Sequence, residues 1–318
     1  MPPNRTDSVR LEPTGEQWTI SHGAQRAVVT EVGATLREYV VGNEPVLDGF
    51  GAGDWSHDGR GQVLAPWPNR LGDGRYEFGG ELCQAAIDEP ARGNAIHGLV
   101  RWVPWRAEAH AQNMVALSYV IRPTPAYPHV LRLRVTYRVG RDGLSVSASA
   151  ENFGARALPF GLGFHPYLTV GTGRVDTTVL CLPGRERLVL DDRRLPTGEV
   201  RPVAGTELDL TRPRAIGSTR LDACYTALER DASGLAWATL EAPGQGRTVA
   251  VWMDGQFGYV MCYTGDEVSE PDRRRRSVAI EPMTCPPDAL RSGEGVVVLE
   301  PGERFEAGWG IRPGGRPG

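Results

Sequence analysis

Val130-Leu-Arg-Leu-Arg-Val-Thr-Tyr-Arg-Val139 is the stretch from which the fold follows. Leu131, Leu133, Val135, Tyr137 and Val139 alternate with Arg132, Arg134, Thr136 and Arg138. A period of two is the signature of a strand with one buried and one wet face. Arg141-Asp142-Gly143 follows and is a hairpin turn signal. Beyond it Leu144, Val146, Ala148 and Ala150 alternate with serines and Glu151. The segment therefore predicts two long antiparallel strands joined by a tight turn.

The same pattern recurs in both directions. Toward the C-terminus residues 296–299 are apolar, a Pro-Gly turn follows, and Phe305, Ala307, Trp309 and Ile311 share one face. Toward the N-terminus residues 18–20 and 27–32 read as a first strand pair. Residues 35–41 and 46–47 continue it around Gly33 and Gly42. No window carries a long capped helical stripe, and no helices alternate with the strands. Many short strands with 40 glycines and 25 prolines between them predict an all-β fold, a large antiparallel β-sandwich. A chain of 318 residues suits one large all-β domain, so residues 1–318 are expected to form a single domain. Residues 1–15 and 312–318 are expected to be loose ends, and the Pro- and Arg-rich stretch 183–214 a long excursion.

Composition narrows the partners. The net charge is −4, and the chain has no lysine, so its 35 cations are all arginines. This balance favours neither nucleic acid nor an anionic membrane. The run Arg273–Arg276 follows Glu270-Pro271-Asp272 and reads as a solvated loop. Five cysteines, odd in number and without a C-x-x-C, argue against a disulfide framework and a zinc site. The first residues lack the apolar core of a signal peptide, and no run reaches the roughly 18 apolar residues of a membrane span. A soluble, cytoplasmic protein is expected.

Five places look overspecified for structure alone. Leu158-Pro-Phe-Gly-Leu-Gly-Phe-His-Pro-Tyr-Leu-Thr-Val170 is apolar except for His165. Pro166 holds that histidine off the helical region, and an imidazole there can exchange protons near neutrality. Asn69 and Arg70 offer several donors just before Gly72-Asp73-Gly74, which predicts an arginine presented on a rigid loop. His97 precedes Gly98, which permits close approach of a ligand or another backbone. Asp222 lies among apolar residues of a short strand and can accept from hydroxyls. Val278 and Ile280 form a strand that Glu281 ends, and Pro282 is expected to stop its pairing. Burial there would raise the Glu281 pKa.

There is no H-x-H, no H-E-x-x-H, no G-x-S-x-G and no G-x-x-x-x-G-K-[ST], so neither a metal site nor a serine hydrolase or P-loop is indicated. A glutamate and a histidine with hydroxyl-binding donors fit proton transfer on a polyol without metal or organic cofactor. The ordered set Asn69-Arg70, His97-Gly98, His165-Pro166-Tyr167, Asp222, Tyr263-Thr264-Gly265, Glu281 and Pro287-Asp288-Ala289 resembles the aldose 1-epimerases, or galactose mutarotases, from about residue 17 to 311. The resemblance implies a mutarotase-type β-sandwich with a sugar in an open cleft on one sheet. It implies Glu281 as the base at the anomeric hydroxyl and His165 as the acid at the ring oxygen. Arg70, His97 and Asp222 would hold the sugar, with Asn69 and Tyr167 beside them.

Leu99 stands where the galactose enzymes have a second glycine, and Met261 where they carry glutamine, which bears on the sugar taken. Three alternatives remain open on the residues alone. One is a non-catalytic sugar-sensing domain on the same scaffold. Another is a hexose 6-phosphate epimerase drawing on Arg75, Arg92 and Arg101. The third is a glycosidase or lyase using Asp222 and Glu281 as a carboxylate pair. Monomer and homodimer are both compatible with the sequence.

Overall fold

The computed structural model describes residues 12–316. The quoted strand spans Leu131–Gly140 and pairs with Gly143–Asn152 around Arg141-Asp142, Gly140 facing Gly143. Leu131, Leu133, Val135, Tyr137 and Val139 are all buried. On the wet face Arg132 and Arg134 both pair with Glu108.

This hairpin is the centre of a nine-stranded antiparallel sheet. Met114–Ile121 and Arg106–Ala111 flank it on one side. On the other come Arg304–Pro313, Arg247–Met253, Ala236–Ala242, Val179–Cys181 and Arg214–Ala215. An eight-stranded sheet packs across it. Its main path runs Pro196–Pro202, Gly184–Leu190, Asp222–Leu228, Tyr259–Tyr263, Val278–Met283, Gly163–Phe164 and Val63–Leu64, and Tyr167–Leu168 also pairs with Val278–Met283. A four-stranded sheet built from Gln17–His22, Gln25–Thr30, Leu36–Val41 and Glu44–Pro45 covers one end. Phe164 of the second sheet meets Trp309 of the first at 5.1 Å between ring centroids, and Phe160 meets Phe305 at 5.6 Å. These aromatic pairs sit in one continuous core between the sheets, the expected arrangement of a β-sandwich.

Strand parity then decides what faces the outside of the eight-stranded sheet. Val278 and Ile280 point into the main core, as do Val260, Cys262, Ala223 and Tyr225. Ala279, Glu281 and Met283 therefore point the other way, together with Met261, Tyr263, Asp222 and Cys224. Registers Met261↔Glu281, Tyr263↔Ala279 and Asp222↔Tyr263 align these side chains in rows. Small apolar clusters form on this face around Met261 with Cys224 and Met283, and around Ala279 with Tyr167, and the carboxylates Asp222 and Glu281 lie among them with one strand between.

Several expectations differ. Pro282 does not end its strand: the strand continues to Met283, and Pro282 pairs opposite Val260. The reason lies on the other side. The Ile280 amide donates to Pro166 and the Thr284 amide to Leu162, so the Pro282 nitrogen faces the break between Gly163–Phe164 and Tyr167–Leu168. The missing N–H is not needed there. Residues 183–214 are not an excursion, since Gly184–Leu190 and Pro196–Pro202 extend the eight-stranded sheet to its edge. In place of a strand at 46–47, Glu44–Pro45 pairs with the preceding strand and Leu47 bridges Leu168. Parts of the expected loose ends are held in the fold: Thr14 is buried, and Arg312 and Pro313 pair with Ala250 and Val249. Residues 1–11 and 317–318 lie outside the described residues. The one α-helical turn among the described residues is Ala289–Ser292. No helix among them is long and apolar enough to cross a membrane, and all five cysteines are free.

Candidate active site

A cleft of about 450 Å³ opens over the outer face of the eight-stranded sheet, and Asn69, Arg70, His97, His165, Asp222 and Glu281 all line it. Tyr167 lines it too. Every sequence-predicted site residue therefore reaches one place, although they span more than two hundred residues of chain.

His165 sits in the break that Pro166 imposes between Gly163–Phe164 and Tyr167–Leu168. Its Nε2 lies 3.3 Å from Oε1 of Glu281. Both side chains are almost wholly buried. Glu281 Oε2 and His165 Nδ1 have no hydrogen-bond partner. Buried polar atoms left unpaired are rare and mark functional or strained positions. The imidazole stacks on Tyr167, with centroids 5.0 Å apart and planes at 19°. It meets His97 edge-on at 5.3 Å.

Arg70 opens a short strand, Arg70–Gly72, instead of sitting on a loop, and it pairs opposite Ile96. That pairing sets Asn69 against His97. The His97 amide donates to the Asn69 carbonyl at 2.8 Å, and the Asn69 amide donates to His97 Nδ1 at 3.1 Å. An accepting Nδ1 leaves the His97 proton on Nε2, a donor for the cleft. Both residues hold positive φ. Gly98 is required for a backbone, not a ligand: a Cβ on it would stand 2.0 Å from the Ala65 carbonyl oxygen. The Leu99 amide donates to that same oxygen.

Tyr167 does not offer its hydroxyl to the cleft, because it donates to the Asp58 carbonyl. Its ring is the floor under His165. Beneath it lies a residue the sequence reading passed over. Arg60 is 2% exposed, stands 4.3 Å from the Tyr167 ring centroid and lies 3.6 Å from Asp48.

The electrostatics favour uncharged forms of the central pair. Burial, with Asp222 in support, pushes the Glu281 carboxyl well above its ordinary range, while Arg70 pulls the other way. Burial, reinforced by Arg60, lowers the His165 pKa to about 3. Burial also holds His97 well below its ordinary value, with Arg101 and His165 adding to the effect. Both directions favour a protonated Glu281 beside a neutral His165, since separated charge is costly in so dry a place.

The arginines around the cleft are already engaged. Arg70 holds Glu89 through Nε and Nη2, Arg92 reaches Glu89 and Glu267, and Arg101 pairs with Asp88 at 2.9 Å. Arg75 is exposed and does not line the cleft. Asp222 pairs with Nε of Arg194 at 3.3 Å. Glu89 and Trp102 also line the cleft, with Trp102 54% exposed. Sequence reading missed both. Neither carries a local sequence signal, because the exposure of Trp102 appears only in the fold. Among the described residues no group of three or more His, Cys, Asp or Glu is arranged for a metal ion.

A β-sandwich with a buried carboxyl–imidazole pair in an open polar cleft has the makings of a proton-transfer enzyme for carbohydrate. The chain belongs to the aldose 1-epimerase family, whose profile matches residues 16–312. It is an isomerase that interconverts the α and β anomers of an aldose. It is 31% identical to the uncharacterized protein YihR of Escherichia coli K12 over 91% of each chain. It is 28% identical to the maltose epimerase of Levilactobacillus brevis over 62% of each. In fold it matches the crystal structure of a GalM/aldose epimerase homologue from C. elegans at a TM-score of 0.82 and 18% identity, over 93% of this chain and 98% of the other.

Proposed function

We propose that Glu281 and His165 act as one proton-sharing pair and that the substrate is an uncharged aldose. The observation that carries this reading is the 3.3 Å separation of His165 Nε2 and Glu281 Oε1 at the cleft floor. In the bound state the proton of Glu281 passes to His165. The carboxylate then takes the C1 hydroxyl proton as the imidazolium protonates the ring oxygen. The C1–O5 bond breaks and C1 becomes a carbonyl. Ring opening leaves a protonated Glu281 and a neutral His165, the forms that burial favours. Rotation about C1–C2 and the reverse transfers close the ring on the other carbonyl face, as general acid–base catalysis allows. The two groups titrate as a pair.

Arg70, the Nε2–H of His97 and Asp222 are placed to meet hydroxyls, with Asn69 holding His97 in orientation and Tyr167 supporting His165. Pairing of Arg70, Arg92 and Arg101 with Glu89, Asp88 and Glu267 leaves no surplus cation for a phosphate, which speaks for a free sugar over a hexose 6-phosphate. We further read the protein as a cytoplasmic monomer or homodimer, folded as one domain and acting without nucleic acid or membrane.

The test is anomer interconversion by NMR or polarimetry on Glu281→Gln, with the spontaneous rate subtracted. Loss of the base should lower turnover by on the order of 10²–10⁴-fold while calorimetric sugar binding persists. Near wild-type turnover would remove Glu281 from the mechanism, and a wild type that binds sugar but does not exceed the spontaneous rate would favour a binding module.

A further inference from the structure

We propose that Arg60 is a positioning residue for the reaction: its buried guanidinium shares the Tyr167 ring with His165 and opposes a positive charge on the imidazole, which keeps the proton of the pair on the Glu281 side. This deepens the acid–base reading above and rests on it.

Three ties fix Arg60 against the pair. The Gly61 amide donates to the His165 carbonyl at 2.9 Å, and the His165 amide donates to the Gln62 carbonyl at 3.1 Å. The Tyr167 hydroxyl donates to the Asp58 carbonyl at 3.2 Å. Gly59 passes so close to the imidazole that a Cβ on it would stand 2.7 Å from His165 Cδ2. Arg60 is the next residue. Its guanidinium carbon lies 4.3 Å from the Tyr167 centroid, and the His165 ring stacks on the same phenol at 5.0 Å. These spacings set the guanidinium within roughly 10 Å of the imidazole. At an effective dielectric of about 20, one charge at that range moves a proton equilibrium by about one pH unit.

Packing alone gives this arginine little to do. A guanidinium has several N–H donors and stays cationic in proteins, yet Nε, Nη1 and Nη2 of Arg60 have no hydrogen-bond partner among the described residues. Arginine is seldom so buried unless paired. Its ion-pair partner, Asp48 at 3.6 Å, is shared. Arg273 and the Ser277 hydroxyl both donate to Asp48, and Arg276 lies 3.6 Å from it. Positive charge is therefore in excess beside Tyr167. The other charged groups around the imidazole are engaged elsewhere. Arg70 and Arg101 pair with Glu89 and Asp88, and Asp58 turns its carboxylate to Ser269. Glu281 at 3.3 Å and the buried His97 complete the surroundings. After burial, Arg60 is the largest influence lowering the His165 pKa. An imidazolium formed there during turnover gives up its proton readily, which suits protonation of a weakly basic ring oxygen.

The experiment replaces Arg60 by methionine and by lysine in the full chain. It reads the pH profile of anomer interconversion for glucose and galactose, and the NMR titration of the His165 ring. Loss of a cation raises the proton affinity of both members of the pair. Arg60→Met should therefore move the acid and the basic limb of kcat/KM upward by about one pH unit each, and His165 should titrate higher by a similar amount. Arg60→Lys keeps the charge and should bring both limbs back toward wild type. Asp48 keeps Arg273 and Ser277 in either variant, so the fold should persist, and Arg60→Gln takes the place of methionine if circular dichroism shows otherwise. A packing role alone would lower activity at every pH and leave the limbs and the titration in place. That outcome, or an equal shift in Arg60→Lys, would overturn the proposal. If the limbs stay put while His165→Asn abolishes turnover, the acid–base reading stands without Arg60. Near wild-type turnover in His165→Asn would end that reading and this one with it.

Discussion

Arg70 and Glu89 are locked to one another by three hydrogen bonds, Nε to Oε2 at 2.9 Å, Nε to Oε1 at 3.2 Å and Nη2 to Oε1 at 3.0 Å. Glu89 also accepts from Arg92 and from the Asn94 side chain, and together these donors hold its carboxyl below the usual range despite burial. The arginine proposed to meet the substrate is thus aimed by a carboxylate nineteen residues away in sequence. Glu89→Ala should free Arg70 to move and leave a largely buried guanidinium uncompensated. Truncating one partner of a buried charged pair typically costs on the order of 3–5 kcal/mol. Catalytic efficiency should fall chiefly through KM, and Glu89→Gln should restore part of it. An unchanged KM in Glu89→Ala would show that Arg70 is aimed by something else.

Gly98→Ala should disable the site through the backbone. With φ at +72° and the Ala65 carbonyl oxygen 2.0 Å from the new Cβ, residues 97–98 must shift. His97 would lose its reciprocal bonds with Asn69. Both a lower melting temperature and a fall in activity are expected. A variant with wild-type melting temperature would contradict the steric argument.

The pH dependence of stability should carry the mark of His165. Its pKa falls from 6.5 to about 3 on folding, so between those values the unfolded chain binds more protons than the folded one. Its contribution to stability is complete above about pH 6.5 and is lost as pH falls toward 3. His97 acts in the same direction. Glu281 acts oppositely, because its raised pKa favours the folded state at low pH and costs stability as pH rises. His165→Asn should therefore lose less stability than wild type between pH 6.5 and 4 in urea unfolding. Parallel losses would mean that the imidazole is not buried neutral.

Tyr137→Phe tests the quoted strand itself. The Tyr137 hydroxyl donates to the Ala34 carbonyl at 2.7 Å in the core. Its removal leaves that buried acceptor unpaired, a cost of about 1–3 kcal/mol, with kcat and KM unchanged. A drop in activity larger than the drop in folded fraction would tie this strand to the cleft.

Alternation along residues 130–152 determined the central hairpin without help, because a strand with one buried face writes its period directly into the chain. The candidate site residues were legible as an ordered set that resembles a family, and singly His165 before a proline, His97 before a glycine and Glu281 after Ile280 are modest signals. How they meet was not written in any one segment. It follows from strand order and parity, which turn Glu281, Met261 and Asp222 to one face of a sheet assembled from distant segments. Arg60 under Tyr167, Glu89 behind Arg70 and Arg194 on Asp222 have no local signature in a chain whose cations are all arginine, so only packing could assign them. Pro282 marks the limit most plainly. Its sequence says that a strand ends, and the structure carries the strand through, because the neighbour that would have needed its N–H is interrupted at His165 and Pro166. Local chemistry thus decided which residues were available, and tertiary pairing decided which protons and partners they share.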